Sequence, residues 1–531
     1  MKRPFRSSVL CRGAARGVLL AGLAAAPAQA ELRGLVVGID TYQGVPPLRG
    51  AVADANDIAA VLRGRGARDV MILTNATATP KAIEGALDTL AKRARPDDTV
   101  MLSFAGIGGT LGGTAGGSAF LLAGYRPGAP SADVLPWASV LAAAARIEKA
   151  GAQVIVVNDY ASGRDQVRAT DDRAAGGAAR GTAERIDARA APAARPPDLK
   201  RTAILSAASA GRGAAEVMIE DRGPRGALSY AVARGLEGAA DANHDGSVSG
   251  TELSDYVRLV GYQIADQRQQ PDVVAGAELS RGISVQPVGT AKPPPQPATP
   301  PPTALPPPPP AGSAQQVPPR TDGPKIRVAA FDGMGAKLQN FVLPVPFQIV
   351  EPKDSPDLLW DPGTKDVVSG GDVIARNVEI GDMAGVIERT AVIRSLRTVV
   401  ARAPQAIRLL PGDGLHRKGN RVEIEVKALR GRALVMFNIA GNGAVQMLYP
   451  AGNDRNTFDQ DDYRLPLSVS EPFGADQVVA VTMPQRLPDV EKAIRDLERP
   501  SLNKAPGRVL DILAKLPPGS AVGTVGLFTA P

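Results

Sequence analysis

Residues 31 to about 270 alternate short apolar runs with amphipathic helical patterns, and this alternation restricts the fold more than any other feature of the sequence. Each apolar run has the length of a strand buried on both faces, and each helical stretch is long enough to connect two parallel strands. This order predicts an α/β domain with a doubly wound, mostly parallel sheet and helices on both faces. The expected strands are 33–39, 68–74, 98–106, 152–159 and 201–208, and the expected helices are 50–66, 78–94 and 137–151.

The rest of the chain divides into segments of distinct composition. Residues 164–199 combine Ala, Arg and Gly with charges of both signs, which predicts a disordered, exposed loop. Residues 287–324 hold 16 of the 47 prolines, which predicts an extended spacer of up to roughly 120 Å. Residues 325–531 contain strand patterns and two helical ones, 383–402 and 508–516, which predicts a separate β-rich α+β domain.

Residues 1–30 have the pattern of a cleavable secretory signal. Five basic residues and a short apolar run precede Ala28, Gln29 and Ala30, a small-x-small cleavage site before Glu31. About ten apolar residues are too few for a permanent membrane span, and no later run is long enough to be one. An uncleaved anchor is the alternative. The signal predicts a periplasmic or secreted protein without a transmembrane anchor.

Cleavage of this signal changes both the charge and the chemistry of the chain. Lys+Arg falls from 61 to 56 against 54 Asp+Glu, so the net charge falls from +7 to +2. A charge this small gives no reason to expect nucleic-acid binding. Cys11, the only cysteine, is lost with the signal, so the exported chain has no thiol, disulfide or cysteine metal site.

Two loops follow expected strands at the sheet edge where doubly wound folds place their reactive groups. Their sequences are SFAGIGG (103–109) and VVNDYASG (156–163). Together with LVVGIDTYQGVPPLRGAVADANDIAAVLRGRG, AFLLAGY, VLPWASVL and GALSYAVARGL, they resemble the bacterial caspase-like peptidases of the metacaspase clan, over roughly residues 32–270. The resemblance implies a caspase-like fold for this part of the chain.

The resemblance fails at the residues that carry chemistry in active members of that family. A histidine is the general base there and a cysteine the nucleophile, but this sequence has Ile107 and Tyr160 at those positions. Asn158 replaces the aspartate that recognises a basic side chain. Isoleucine cannot accept a proton, and a phenol with an ordinary pKa of about 10 is mostly neutral at pH 7. The departures predict a pseudoenzyme.

We expect such a protein to bind a peptide or protein ligand through a retained cleft, or to act as a scaffold. One alternative is an active endopeptidase or other hydrolase that uses a non-cysteine route, with Ser162 as nucleophile and Asp159 as the nearest base. Another is an envelope structural protein. Residues 445–483 resemble a domain of unknown function that is fused to bacterial caspase-like and kinase domains, which does not favour any of the three.

The stretch DANHDGSVSGTE, residues 241–252, has the spacing of an EF-hand calcium loop with Gly246 at its sharp turn. The six expected ligands are Asp241, Asn243, Asp245, Ser247, Ser249 and Glu252. Calcium prefers six to eight oxygen ligands, and a single loop with three carboxylates predicts a weak, structural site with a Kd on the order of 0.1–1 mM. The alternative is an Asx-rich turn that binds no metal.

Overall fold

The computed structural model describes residues 30–112, 117–128, 132–161, 181–186, 198–207, 214, 216–220, 222–276, 283–284, 325–412, 414–451, 457–498 and 506–531. The predicted signal, the proline-rich segment and most of residues 164–199 lie outside these ranges. No helix within them has both the length and the apolar composition that crossing a bilayer requires. We call residues 30–284 the N-terminal domain and residues 325–531 the C-terminal domain.

The N-terminal domain alternates strands and helices in the predicted order. Its elements are β1 (Leu32–Gly38), α1 (Ala51–Gly64), β2 (Asp69–Thr74), α2 (Pro80–Arg93), β3 (Thr99–Ala105), β4 (Gly108–Leu111), β5 (Ser118–Leu121), β6 (Val134–Pro136), α3 (Trp137–Lys149), β7 (Gln153–Asp159), β8 (Gly181–Ile186), β9 (Thr202–Ser206), β10 (Glu216–Ile219), β11 (Gly223–Gly226), α4 (Ala227–Arg234), β12 (Ser247–Val248), α5 (Gly250–Ile264), β13 (Asp272–Ala275) and β14 (Ile283–Ser284). A π-helical turn, Gly235–Ala239, extends α4.

Six strands form the central sheet in the order β13-β9-β7-β3-β1-β2. All neighbours are parallel except β13, which is antiparallel to β9 at the edge. Side chains alternate between the faces: Leu35 and Val37 pack in the layer of α2 and α3, whereas Val36 packs in the layer of α1, α4 and α5. The predicted doubly wound, mostly parallel sheet is confirmed, and β13 is an addition to it.

The local sequence explains where α2 begins. The Thr79 hydroxyl accepts a hydrogen bond from the Ala82 N–H at 3.2 Å, and Pro80 occupies the first turn, where no amide donor is needed. Two basic residues, Lys92 and Arg93, lie in the last turn, where the helix dipole favours positive charge. These signals fix the ends of α2, whose apolar side chains share a core with Leu35 and Val37.

A second, four-stranded sheet lies beyond the end of β3, in the order β6-β5-β4-β8. The composition of residues 164–199 predicts a disordered loop, but Gly181–Ile186 within it form β8, which pairs in parallel with β4. Main-chain hydrogen bonds to an available strand edge can order a segment that has few apolar side chains. The rest of residues 164–197 lies outside the described residues.

The C-terminal domain is rich in strands. Its elements are β15 (Ile326–Ala330), α6 (Gly335–Leu338), β16 (Phe347–Ile349), β17 (Leu358–Asp361), β18 (Asp366–Ser369), β19 (Asp372–Ala375), α7 (Met383–Arg402), β20 (Ile407–Leu410), β21 (Leu415–Arg417), β22 (Arg421–Lys427), β23 (Ala433–Ile439), β24 (Val445–Tyr449), β25 (Asp462–Ser468), β26 (Ala475–Met483), α8 (Pro488–Asp496), α9 (Arg508–Leu513) and β27 (Ala521–Ala530). Their sheets have the orders β16-β15-β17-β18-β19, β20-β22-β25 and β21-β27-β26-β23-β24. The predicted β-rich α+β class is confirmed.

The C-terminal domain packs directly on the N-terminal domain. One hydrophobic core cluster contains Tyr256 and Val260 of α5 together with Leu396 and Val400 of α7. The Tyr256 hydroxyl also donates a hydrogen bond to the Ala401 carbonyl. The sequence alone predicts two domains separated by a spacer, and the structure adds that they share a core.

Candidate functional site

The two loops that resemble the catalytic loops of caspase-like peptidases meet at the carboxyl edge of the central sheet. Strands β3 and β7 are parallel neighbours, and Ala105 pairs with Asp159 at their ends. The residues that follow, Ile107 after β3 and Tyr160 after β7, therefore lie at the same edge. The sheet thus brings together the two positions where the resemblance predicts a base and a nucleophile.

A buried aromatic ring fills the position predicted for the nucleophile. Tyr160 is 2% exposed, and its ring centroid lies 5.2 Å from that of Phe120. A Cβ atom on Gly108 would lie only 2.1 Å from Cδ2 of this ring and 2.5 Å from the Ala161 carbonyl oxygen. Glycine at 108 is therefore what allows the ring of Tyr160 to pack against the chain after β3.

The environment of Tyr160 keeps its phenol protonated. Burial away from water raises the pKa of the Tyr160 hydroxyl far above its ordinary value, and a hydrogen bond with the Asn158 side chain offsets this only in part. A neutral phenol is a poor nucleophile, and activation by a general base requires an acceptor within hydrogen-bonding reach. The isoleucine at position 107 provides none.

Ile107, at the position predicted for the base, belongs to a hydrophobic cluster with Leu121 and Tyr125. Its N–H donates to the Tyr42 hydroxyl at 2.9 Å, and its carbonyl accepts from the Leu121 N–H at 2.8 Å. The backbone at this position is thus fixed by hydrogen bonds, while the side chain supplies only packing. No proton can be transferred to an aliphatic side chain.

The two polar residues before Tyr160 are also buried. Asn158, at the position predicted to set specificity, is 3% exposed, so its amide is not accessible to a substrate side chain. Asp159 accepts a hydrogen bond from the Ser229 N–H at 3.0 Å, in the first turn of α4. A carboxylate there satisfies a free helix amide and is favoured by the helix dipole. Ser162, the alternative nucleophile, lies outside the described residues.

The predicted calcium loop lies between the helical segment that ends at Ala239 and α5. Its Asp and Asn side chains turn inward onto the loop's own amides: Asp241 accepts from the N–H groups of Asp245 and Gly246 at 3.1 and 3.0 Å, and Asn243 accepts from Asp245 N–H at 2.9 Å. Val248 pairs with Ile283 in the short β12–β14 ladder. The backbone thus forms a tight, oxygen-lined turn.

Glu252, the expected last ligand, serves as part of a helix cap. Its carboxylate accepts from the Ser249 N–H at 2.9 Å, while its own N–H donates to the Ser249 hydroxyl at 3.1 Å, a capping box at the start of α5. Hydrogen bonds from Ser249 lower the pKa of Glu252 below its ordinary value. Within the described residues, no three His, Cys, Asp or Glu side chains are arranged to hold a metal ion. Calcium binding therefore stays a prediction.

Sequence reasoning did not identify a group of arginines on α7. Arg389 and Arg394 are buried, and Arg397 is mostly so, where α7 faces the N-terminal domain. A sequence signal exists, because positions 389, 393 and 397 repeat at the helical spacing and mix charge with apolar residues on one face. This pattern alone does not distinguish a buried charged face from a solvated one.

The match to a family profile agrees with this architecture. A sequence profile of the caspase domain (peptidase C14) matches residues 33–275. Among solved structures, the chain is similar to a protein from Geobacter sulfurreducens, a structural-genomics target, at 19% identity over 47% of this chain and 97% of that one, with a TM-score of 0.34. A likeness this weak does not bear on function. No curated protein sequence matches the chain significantly. The profile match spans the predicted sheet and both loops, and the N-terminal domain is thus a caspase domain of the peptidase C14 family.

Proposed function

We propose that this protein is an exported caspase-like pseudoenzyme that acts as a peptide- or protein-binding or scaffolding module. The observation that carries the proposal is the burial of Ile107 and Tyr160 at the two positions where the family needs a base and a nucleophile. An aliphatic side chain and a neutral phenol packed in apolar surroundings have no means to cleave a peptide by the route of cysteine peptidases.

The surroundings of these positions also weaken the case for a different hydrolytic route. Asp159, the nearest candidate base for Ser162, is fully buried and accepts a hydrogen bond from the Ser229 amide. A carboxylate that is buried in this way and bonded to the first turn of α4 is not exposed to a substrate or to an attacking water. The proposal therefore assigns Asp159 the role of joining β7 to α4.

We expect the purified exported protein to show no turnover of a peptide library, with or without calcium, and no covalent acyl adduct. Intact mass spectrometry of the same sample reports any adduct and also tests export, since cleavage of the signal places the first residue at Glu31. The matched control is Ser162→Ala, which should behave like the wild type. Turnover by the wild type that Ser162→Ala abolishes would show an active hydrolase and contradict the proposal.

We also propose that residues 241–252 hold a weakly bound, structural calcium ion. The donor chemistry supports it, because carboxylate, amide, hydroxyl and main-chain oxygens are the ligands that calcium prefers. Asp241, Asn243, Asp245, Ser247, Ser249 and Glu252 would supply them. The bound ion would brace the turn between α4 and α5.

Calcium at ten times its Kd should stabilise the folded protein by about 1.4 kcal/mol, because only the folded loop presents the complete ligand set. Calorimetric titration and thermal unfolding of the wild type measure the affinity and this gain. Glu252→Gln is the discriminating variant, since glutamine can still complete the capping box but cannot provide a bidentate carboxylate. We expect it to fold normally and lose the calcium response. An equal response in Glu252→Gln, or none in the wild type, would leave the loop as a metal-free turn.

A further inference from the structure

A cavity of about 210 Å³ lies at the junction of the two domains. The caspase domain contributes β10 and the segment after α5, and the C-terminal domain contributes one face of α7 with parts of β26 and β27. At about 30 Å³ per water molecule, this volume has room for several waters or one small solute. The cavity is separate from the carboxyl edge of the sheet that carries Ile107 and Tyr160.

One face of α7 contributes three arginines to the cavity, whose lining also includes Arg268 and four carboxylates. Arg389, Arg394 and Arg397 line it together with Thr390 and Ile393 of the same helix. Positions 389, 393 and 397 are four residues apart, as are 390 and 394, so the five side chains lie along one side of α7. Three neighbouring arginines are rarely buried unless acceptors surround them, because each guanidinium has five N–H donors in a fixed plane.

Carboxylates from both domains line the cavity as well, but protein donors already occupy them. Asp266 accepts from Arg397 at 2.8 Å, and Asp357 pairs with Arg394 at 3.0 Å. Glu216 accepts from backbone amides of the loop before α1, the shortest of these bonds being 2.6 Å. These bonds hold the arginines and the two domains in place without using all of the guanidinium donors.

The carboxylate of Asp476 is similarly engaged. Burial raises the pKa of Asp476 to about 6, while hydrogen bonds with the Asn438 side chain and the Gly441 backbone and the charge of Arg389 act in the opposite direction. Its oxygens are thus directed to groups of its own domain. Arg389 donates instead to the Ala475 carbonyl.

Unused hydrogen-bonding capacity remains on the arginines. The Nε–H groups of Arg389 and Arg397 are buried and have no hydrogen-bond partner among the described residues. Both residues line the cavity, and buried donors are almost always paired with an acceptor. Because the free groups are donors on cationic side chains, the missing partner is an acceptor, and a negatively charged one matches them best.

We propose that this cavity binds a small oxyanion, with carboxylate or phosphate oxygens, that bridges Arg389 and Arg397 between the two domains. Arg397 already contacts the caspase domain through the Met218 carbonyl at 2.8 Å, so an anion held here would strengthen the contact between the domains. The ligand would be a resident or regulatory solute and would take no part in chemistry at the sheet edge. The proposal does not depend on whether the caspase domain is a pseudoenzyme.

The test uses the purified full-length protein, titrated separately with inorganic phosphate and with succinate and followed by calorimetry and thermal unfolding. Sodium chloride at equal ionic strength is the reference, because it screens charge without offering oxygen acceptors. We expect saturable binding and a higher unfolding temperature with at least one of the two oxyanions. The two titrations distinguish a phosphate from a dicarboxylate ligand.

Three variants connect the binding to the cavity. Arg389→Gln removes a cation and should weaken binding by at least about tenfold. Thr390→Glu places a carboxylate on the cavity face of α7. This carboxylate can take the place of the bound anion, so we expect the variant to fold but to show no oxyanion binding and no rise in unfolding temperature. Arg402→Gln removes an exposed positive charge from the end of the same helix and should bind like the wild type. No saturable binding to the wild type, or unchanged binding to Thr390→Glu, would overturn the proposal.

Discussion

Replacing Tyr160 by alanine should lower the free energy of unfolding by about 3–5 kcal/mol, the range found for large buried aromatic side chains. The ring is buried beside Phe120 and against Gly108, so its removal leaves a cavity that the rigid sheet edge cannot close. In a working peptidase the same position would hold a small nucleophile whose replacement costs activity far more than stability. Equilibrium denaturant unfolding of the purified protein measures the change.

Two companion variants show whether the ring or the hydroxyl matters. Tyr160→Phe keeps the ring and should cost no more than about 1.5 kcal/mol, the value of one hydrogen bond. Gly108→Ala should destabilise the protein because its Cβ would overlap the ring, and the overlap should be partly relieved when Tyr160 is already alanine. A coupling energy between the two substitutions of about 0.5–3 kcal/mol is expected. Additive effects, or a small loss in Tyr160→Ala, would contradict the packing described for this edge.

The parallel sheet could be predicted because its strands are apolar on both faces and are separated by helices of the right length. Residues such as Leu35, Val36 and Val37 are all buried, which only a sheet covered on both sides allows. Strand β13 was not predicted, since it is four residues long, begins directly after Pro271, and has Val274 exposed. A short edge strand carries little hydrophobic signal and is held mainly by its backbone pairing with β9.

The candidate site was predicted in its position but not in its packing. The motifs located Ile107 and Tyr160 at strand ends, and the parallel pairing of β3 and β7 confirms that placement. The sequence does not show that Phe120, on β5, packs against the ring of Tyr160. The two residues are far apart in the chain, so their contact depends on the tertiary fold. Each described residue from Asn158 to Ala161 is at most 3% exposed, and the retained cleft expected from the resemblance stays a prediction.

The docking of the two domains could not be predicted from the sequence, because polar side chains make much of the contact. Gln263 of α5 is 1% exposed, yet a glutamine in a helical pattern suggests a solvated position. Its partners are main-chain groups of the C-terminal domain, far away in sequence. Patterns of hydrophobicity carry no information about such contacts, since backbone acceptors and donors are present at almost every residue.

Gln263→Leu should therefore be the substitution that most weakens the contact between the domains. The Gln263 amide donates to the Gln405 carbonyl at 2.8 Å and accepts from the Thr524 N–H at 3.0 Å. Leucine has a similar volume but would leave both buried backbone groups without these partners, at a cost of about 1–3 kcal/mol each. The free energy that holds the two domains together should thus decrease by about 2–6 kcal/mol, while the stability of each domain by itself should change little.

The two tryptophans make this prediction measurable domain by domain. Trp137 lies in α3 of the caspase domain and Trp360 in β17 of the C-terminal domain, so Trp137→Phe and Trp360→Phe each leave one fluorescent reporter. In the otherwise wild-type protein both reporters should change at the same denaturant concentration, because the domains share a core. In Gln263→Leu the two transitions should separate.

The control is Gln270→Leu, the same change at an exposed neighbour. Its two transitions should stay together, and its free energy of unfolding should shift by no more than about 0.5 kcal/mol. Coincident, unshifted transitions in Gln263→Leu would mean that hydrophobic contacts alone hold the domains together.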